Sequence, residues 1–220
     1  MIDPASGHDA GAAMVRVWDP LVRVFHWGLV AAFATAWLAA DEVQPVHELA
    51  GYTVASLVVF RLVWGFAGSR HARFAQFVTG PAATLAYLGA MLRGRERRYL
   101  GHNPAGAAMI LVLLLTLSGT AFTGWLMTDP ARQARLPALP QTLAPAWADD
   151  DEDDYGEADG WQGDTDGPLR AAHETLANLT LLLVALHIFG VVLASVRHRE
   201  NLVRAMLTGD KRPADPGDVA

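Results

Sequence analysis

The chain has 220 residues, a mean hydropathy of +0.20, 52% hydrophobic residues and only 18% charged ones, more apolar than a soluble protein of this size usually is. It contains no cysteine, which excludes disulfides, thiolate metal sites, iron–sulfur clusters and covalently attached c-type haem, and leaves histidine as the natural metal ligand. The net charge of −6 comes from one place: between Met127 and Pro168 eleven acidic residues stand against Arg132 and Arg135, a local −9, while the rest sums to +3.

Residues Met1 to Pro20 are polar and Gly/Ala-rich, and the first 14 are expected to form a flexible leader. Ala34-Thr35-Ala36 resembles a signal cleavage site. The leader lacks a basic n-region, however, and cleavage would discard His26, so the first span is expected to be retained. Apolar runs over about 22–40, 48–68, 104–127 and 169–196 are long enough to cross a bilayer and predict an all-α, integral-membrane four-helix bundle, a domain covering 15–206. Between the second and third spans lies a connector with Arg70, Arg73, Arg93, Arg95, Arg97 and Arg98, enclosing an apolar segment, Pro81 to Leu92, too short to span and read as an interfacial amphipathic helix. Asn103-Pro104 supplies an N-cap and a first-turn proline for the third span. The acidic segment 128–168 follows, rich in proline and then in aspartate, and is expected to be a mobile exterior loop. The polar tail, 207–220, is expected to fray.

The N-terminal segment, the 69–103 connector and the tail hold thirteen Lys and Arg, the 41–46 turn none and the acidic loop two, which predicts both termini in the cytoplasm of a multi-pass protein. Histidines then fall on two levels. His26 opens the first span on the inner side and His187 lies toward the inner end of the fourth; His47 begins the second span on the outer side and His173 begins the fourth there. His173 and His187 are 14 residues apart, close to four helical turns, hence on one face and about 21 Å apart along the axis. Ionisable groups in a membrane are costly and mark function. The chemistry that needs two stacked imidazole pairs is bis-histidine ligation of haem iron, with His26 and His187 on an inner haem and His47 and His173 on an outer one. Zinc would need three or four converging ligands, and a proton or metal transporter would be expected to carry intramembrane carboxylates, which the spans lack.

Arg61 shares a face with His47 at the same 14-residue spacing. It is read as a partner of inner-haem propionates in preference to a snorkelling side chain. His102 is read as a solvated interfacial histidine in preference to a propionate contact or a proton acceptor at a quinone site; His8, His71 and His198 are given no role. Gly28, Gly51, Gly119, Gly124 and Gly190 suit either a macrocycle or a neighbouring helix, and Phe25, Trp27, Trp37, Trp64 and Trp125 suit an interfacial aromatic belt. The run Asp149 to Asp154 and the later Asp164 and Asp166 do not fit a calcium loop. They are read as solvated charge, with steering of a basic partner such as a soluble cytochrome c as the functional version.

The motifs Val17-Trp18-Asp19-Pro20, Arg23-Val24-Phe25-His26-Trp27, His47-Glu48-Leu49-Ala50-Gly51-Tyr52, Arg61-Leu62-Val63-Trp64-Gly65-Phe66, His71-Ala72-Arg73-Phe74 and Gly101-His102-Asn103-Pro104 resemble the bacterial cytochrome b561 family, related to the b-type cytochrome subunits of nickel–iron hydrogenases. The resemblance spans about Val15 to Met206 and implies a four-helix membrane cytochrome of the respiratory chain with two haem b. It implies electron exchange between the quinone pool, ubiquinone or menaquinone, and a periplasmic or membrane redox partner. Carried over by motif, the ligands are the same two pairs. The expected setting is the bacterial inner membrane, with lipid around the bundle, a homodimer as an option and no nucleic-acid partner. Two rivals remain: a quinone-linked superoxide oxidase or other small-molecule reductase on the same scaffold, and a non-redox transporter or assembly subunit.

Overall fold

A computed structural model describes residues 14–134 and 167–219. The expected leader lies almost wholly outside the described residues, as does most of the expected acidic loop. Among the described residues, helices dominate: α1 (Pro20–Leu38), α2 (Gln44–Ala67), a 3-10 turn (Arg70–Ala72), α3 (Phe74–Phe77), α4 (Pro81–Leu92), α5 (Pro104–Met127), α6 (Pro130–Gln133), α7 (Gly167–Arg197) and α8 (Leu202–Thr208). Two short strands, β1 (Val15–Arg16) and β2 (Asp210–Lys211), pair antiparallel with Val15 opposite Lys211 and Arg16 opposite Asp210.

The four long helices, α1, α2, α5 and α7, are of 19, 24, 24 and 31 residues and are apolar enough to cross a membrane. Their outward faces are apolar too, with Leu38, Phe66, Leu115 and Val196 each more than 70% exposed. In water such a surface would be a liability; against lipid it is the expected finish. The protein is therefore an all-α, multi-pass membrane bundle. The span boundaries fall within a few residues of those read from the sequence, and α4 coincides with the short apolar segment of the connector.

Local chemistry explains the helix starts. Asp19 caps α1, its Oδ1 accepting from the Val22 N–H at 2.9 Å, with Pro20 in the first turn. Asn103 does the same for α5, accepting from Gly106 N–H at 2.8 Å ahead of Pro104. Asn201 caps α8, and Gly209 ends it at a φ of 91°, where a Cβ would lie 2.7 Å from the Trp18 carbonyl oxygen. That close approach lets the Gly209 carbonyl accept from the N–H groups of both Val17 and Trp18.

The chain divides into two compact units. One gathers the residues through His26, Arg61–Ile110 and those from His187 onward; the other holds Trp27–Phe60 and Leu111–Leu186. His26 and His187 fall in the first, His47 and His173 in the second.

Within the first unit the tail differs from expectation. Rather than fraying, residues 202–219 dock on the basic connector. Arg98, 5% exposed, donates to Glu200 at 2.7 and 3.2 Å, to Asp218 at 2.6 Å and to the carbonyls of Arg212 and Pro213 at 2.8 and 3.2 Å. Lys211, 3% exposed, donates to the carbonyls of Tyr99 and Leu100 and faces Glu200. Leu100 and Val219 complete the join through backbone hydrogen bonds. The ordered unit thus runs to Val219 instead of ending at 206. The tail's partners lie more than a hundred residues away in sequence, so a local reading of its polarity misses them.

Removing one partner from so enclosed an ion-pair network leaves the others buried and uncompensated. Arg98→Ala is expected to destabilise the first unit by about 3–5 kcal/mol, read as a lowered melting temperature in detergent. Burial works against ionisation of Glu200, yet bonds and charge from Arg98 and Lys211 hold its carboxyl below the ordinary 4.5. The stabilisation is therefore complete above about pH 4.5 and lost as pH falls through the depressed value, so the melting temperatures of wild type and Arg98→Ala should converge on acidification.

Candidate functional site

The second unit brings His47 of α2 and His173 of α7 together, ring centres 6.1 Å apart and planes 74° to each other. Each ring is tethered through Nδ1. His47 Nδ1 donates to the carbonyl of Ala36 on α1 at 2.8 Å. His173 Nδ1 lies 3.0 Å from the hydroxyl of Thr123 on α5, and that hydroxyl gives its own proton to the carbonyl of Gly119 or Thr120, at 2.9 and 3.0 Å, so Nδ1 is the donor. Both rings thereby keep Nε2 for another partner, with Nδ1 fixing tautomer and orientation in the way that outer-shell contacts fix metal-bound histidines. Gly124 makes room for this: a Cβ there would lie 3.1 Å from His173 Cε1. Gly119 does the same for Leu176, at 3.1 Å. Of the glycines left undecided by the sequence, these two serve the seating of α7 on α5. Thr180, fully buried, lies on α7 midway between His173 and His187 and donates back to the Leu176 carbonyl at 2.8 Å, so this hydroxyl's bond is satisfied within the helix.

In the first unit His26 of α1 and His187 of α7 face each other with ring centres 6.4 Å apart and planes 52° to each other. Arg61 of α2 belongs to the same unit and is only 4% exposed, which excludes a snorkelling side chain. Its guanidinium stacks over the Phe74 ring at 4.8 Å. Phe74 in turn sits where Gly65 leaves space: a Cβ at Gly65 would meet the Phe74 ring at 2.0 Å. Arg61 and Gly65 are one helical turn apart, so one aromatic ring seats on both.

His102 differs from the sequence reading. It is not a solvated interfacial group: its ring packs between Trp18 and Phe77, centres 4.6 and 4.5 Å away, and its Nδ1 is sealed from solvent. Burial, with the nearby cations Arg61 and Lys211, pushes its imidazole down to about 3, so it is neutral at physiological pH. Asp19 anchors the neighbouring turn through Ser69 and Trp64. The roles of Thr123, Ala36, Phe74, Trp18 and Phe77 carry no distinct sequence signal, because a threonine or an aromatic in an apolar helix reads as packing.

The residues fit a bis-imidazole metal group. Two metal–nitrogen bonds of about 2 Å, plus roughly 1 Å from each nitrogen to its ring centre, give a centre-to-centre spacing of about 6 Å, the spacing of both pairs. Among the described residues no three or more His, Cys, Asp or Glu converge as a metal cluster. Two imidazoles per site suit a metal whose remaining positions a macrocycle fills.

The fold and these facing imidazoles define a multi-pass membrane protein built around paired histidines. The sequence profile of the prokaryotic cytochrome b561 family matches residues 17–209, and the chain belongs to that family. It is thus a b-type membrane cytochrome that binds haem b and serves electron transport. Relatives include a probable Ni/Fe-hydrogenase B-type cytochrome subunit of Cupriavidus necator, 27% identical over 60% of this chain and 68% of that protein. Another of the same description, from Rhizobium leguminosarum bv. viciae, is 23% identical over 93% of this chain and 91% of that protein. No solved structure matches.

If Gly124 exists to admit the His173 ring, Gly124→Val should lower the haem content of the purified protein while Gly124→Ala retains most of it, as read by pyridine haemochrome assay. Equal haem content in both variants and wild type would show that the close approach is dispensable.

Proposed function

We propose that the protein carries two haem b groups and passes electrons between the quinone pool and a redox partner at the membrane or in the periplasm, from the bacterial inner membrane, with both termini cytoplasmic. The observation that carries this is the two separate imidazole pairs at about 6 Å, one in each unit. His26 and His187 hold one haem and His47 and His173 the other, and haem supplies a one-electron iron couple when bound. The chain's part would be to supply two imidazole nitrogens to each haem, to fix the tautomers of His47 and His173, and to exclude water. With Ala36 and Thr123 holding the Nδ1 atoms, the His47 and His173 rings are set for Nε2 ligation. Arg61, a desolvated guanidinium in the unit of the His26–His187 pair, supplies charge for a propionate. His173 and His187 are 14 residues apart on α7, so one helix supplies a ligand to each haem.

The relatives' description as Ni/Fe-hydrogenase subunits makes a hydrogenase a precedent for the partner. A basic soluble or membrane-attached cytochrome c at the acidic segment is the second candidate, supported by the local charge of −9 over residues 128–167, most of which lies outside the described residues.

Pyridine haemochrome analysis should give two haems per chain. A value near zero ends the proposal and a value near one removes one pair. His187→Ala should lose the haem of its own pair and spare much of the other, leaving about half the absorbance; retention of both haems would refute the assignment.

A further inference from the structure

We propose that His102 and Arg61 together grip one carboxylate of the prosthetic group bound by His26 and His187, His102 acting as a neutral hydrogen-bond donor beside the Arg61 cation. The inference rests on the dihaem reading and adds to it a residue that nothing in the ligand pattern assigns.

The physical case begins with unmet hydrogen-bonding capacity. Arg61 is 4% exposed, and its Nη1 is sealed from solvent without a partner; its contact on the page is the face of Phe74, which takes no N–H bond in the guanidinium plane. His102 likewise has Nδ1 sealed and unpartnered. A buried donor in the state of Arg61 Nη1 costs about 1–3 kcal/mol and calls for an acceptor, whereas a ring nitrogen sealed in this way is the one better left without the proton. The two lie along one ring track in the same unit: Arg61 over Phe74, Phe74 to Phe77 at 5.8 Å, and Phe77 to His102 at 4.5 Å.

The chain does not offer that acceptor. The described carboxylates of this unit are Asp19, Glu96, Glu200, Asp210, Asp215 and Asp218, and each is already engaged. Asp19 accepts from Val22, Trp64 and Ser69; Glu96 from Arg197; Glu200 and Asp218 from Arg98; Asp210 from Arg16; and Asp215 from Arg212. Asp19 lends Arg61 a favourable charge at a distance, but no described carboxylate hydrogen-bonds its guanidinium, so the sealed Nη1 fits an anion brought in from outside the chain. Haem b brings two carboxylates, and the histidine pair of this unit fixes which haem is meant.

The chemistry of His102 fits a donor. A lone-pair nitrogen is cheaper to bury without a partner than an N–H, so the sealed Nδ1 is the bare atom and Nε2 carries the proton. The Trp18–Phe77 sandwich holds the ring in one orientation, and its neutrality at physiological pH leaves a single donor without adding a second charge.

The test measures the redox potentials of the two haems separately, by optical titration, together with the propionate-bending bands in resonance Raman spectra. The variants are His102→Phe, which keeps an aromatic ring in the sandwich, and His102→Gln, which keeps a donor. Wild-type haem content is measured first: a chain without two haems defeats the dihaem reading itself. With both haems present, His102→Phe should lower the potential of the haem ligated by His187, because a carboxylate stripped of a donor favours ferric iron, and should shift its propionate band. The other haem should not move, and His102→Gln should restore most of both signals. Loss of only the His187-ligated haem in His102→Phe, regained in His102→Gln, equally supports the grip. Unchanged potential and band in His102→Phe at full haem content would overturn it. So would loss of both haems in the two variants alike, which would assign His102 to folding.

Discussion

An imidazole inside an apolar bundle has two nitrogens and no water to satisfy them, and the arrangement of the second unit follows from that constraint. His47 and His173 each spend Nδ1 on a partner from a helix other than their own, the Ala36 carbonyl on α1 and the Thr123 hydroxyl on α5. Two pairs of helices are thus tied, α1 to α2 and α5 to α7, each through one ring. The tether fixes the tautomer, the tautomer fixes which nitrogen is offered, and the offered nitrogen sets what chemistry the pair can enter. Even the small residues of α5 follow, because Gly119 and Gly124 leave the space that α7 and its histidine need.

Charge is handled differently in the first unit. Its cations are numerous, and several are met by carboxylates or carbonyls of the connector and tail. Arg98 is the densest case, with Glu200, Asp218 and two carbonyls around one guanidinium. Arg16 has Asp210, Arg197 has Glu96 and Arg23 has the Leu207 carbonyl. Against that background Arg61 stands apart, buried, stacked on an aromatic face, and with the charge of Asp19 acting on it only at a distance.

Much of this was legible in the sequence, for identifiable reasons. Membrane helices announce themselves by length and apolarity, and the Asn103-Pro104 and Asp19-Pro20 caps mark their starts, because capping depends on residues within one turn. The pairing of histidines followed from spacing and loop charge. Contacts between residues distant in sequence were not legible: the docking of the tail on Arg98, the Trp18–His102–Phe77 sandwich and the seat of Phe74 on Gly65 all join segments that no local pattern links. His102 shows the cost most directly. Its arginine-rich neighbours suggested solvent, whereas two aromatic rings enclose it.

The pairing also bears on which redox chemistry is accessible. Were each histidine pair to hold a haem as proposed, both of the iron's protein ligands would come from the chain, and a small molecule would have to displace one of them to reach the metal. For the His47–His173 pair, displacement would mean breaking the Ala36 or Thr123 tether as well as the metal bond. Oxidation of superoxide or reduction of a ferric complex would then not use the metal as a binding site, and neither would exchange with a quinone or a protein partner. On the proposed reading electron carriage is separate from substrate binding, and what this chain oxidises or reduces is to be sought at its surface rather than at the histidine pairs.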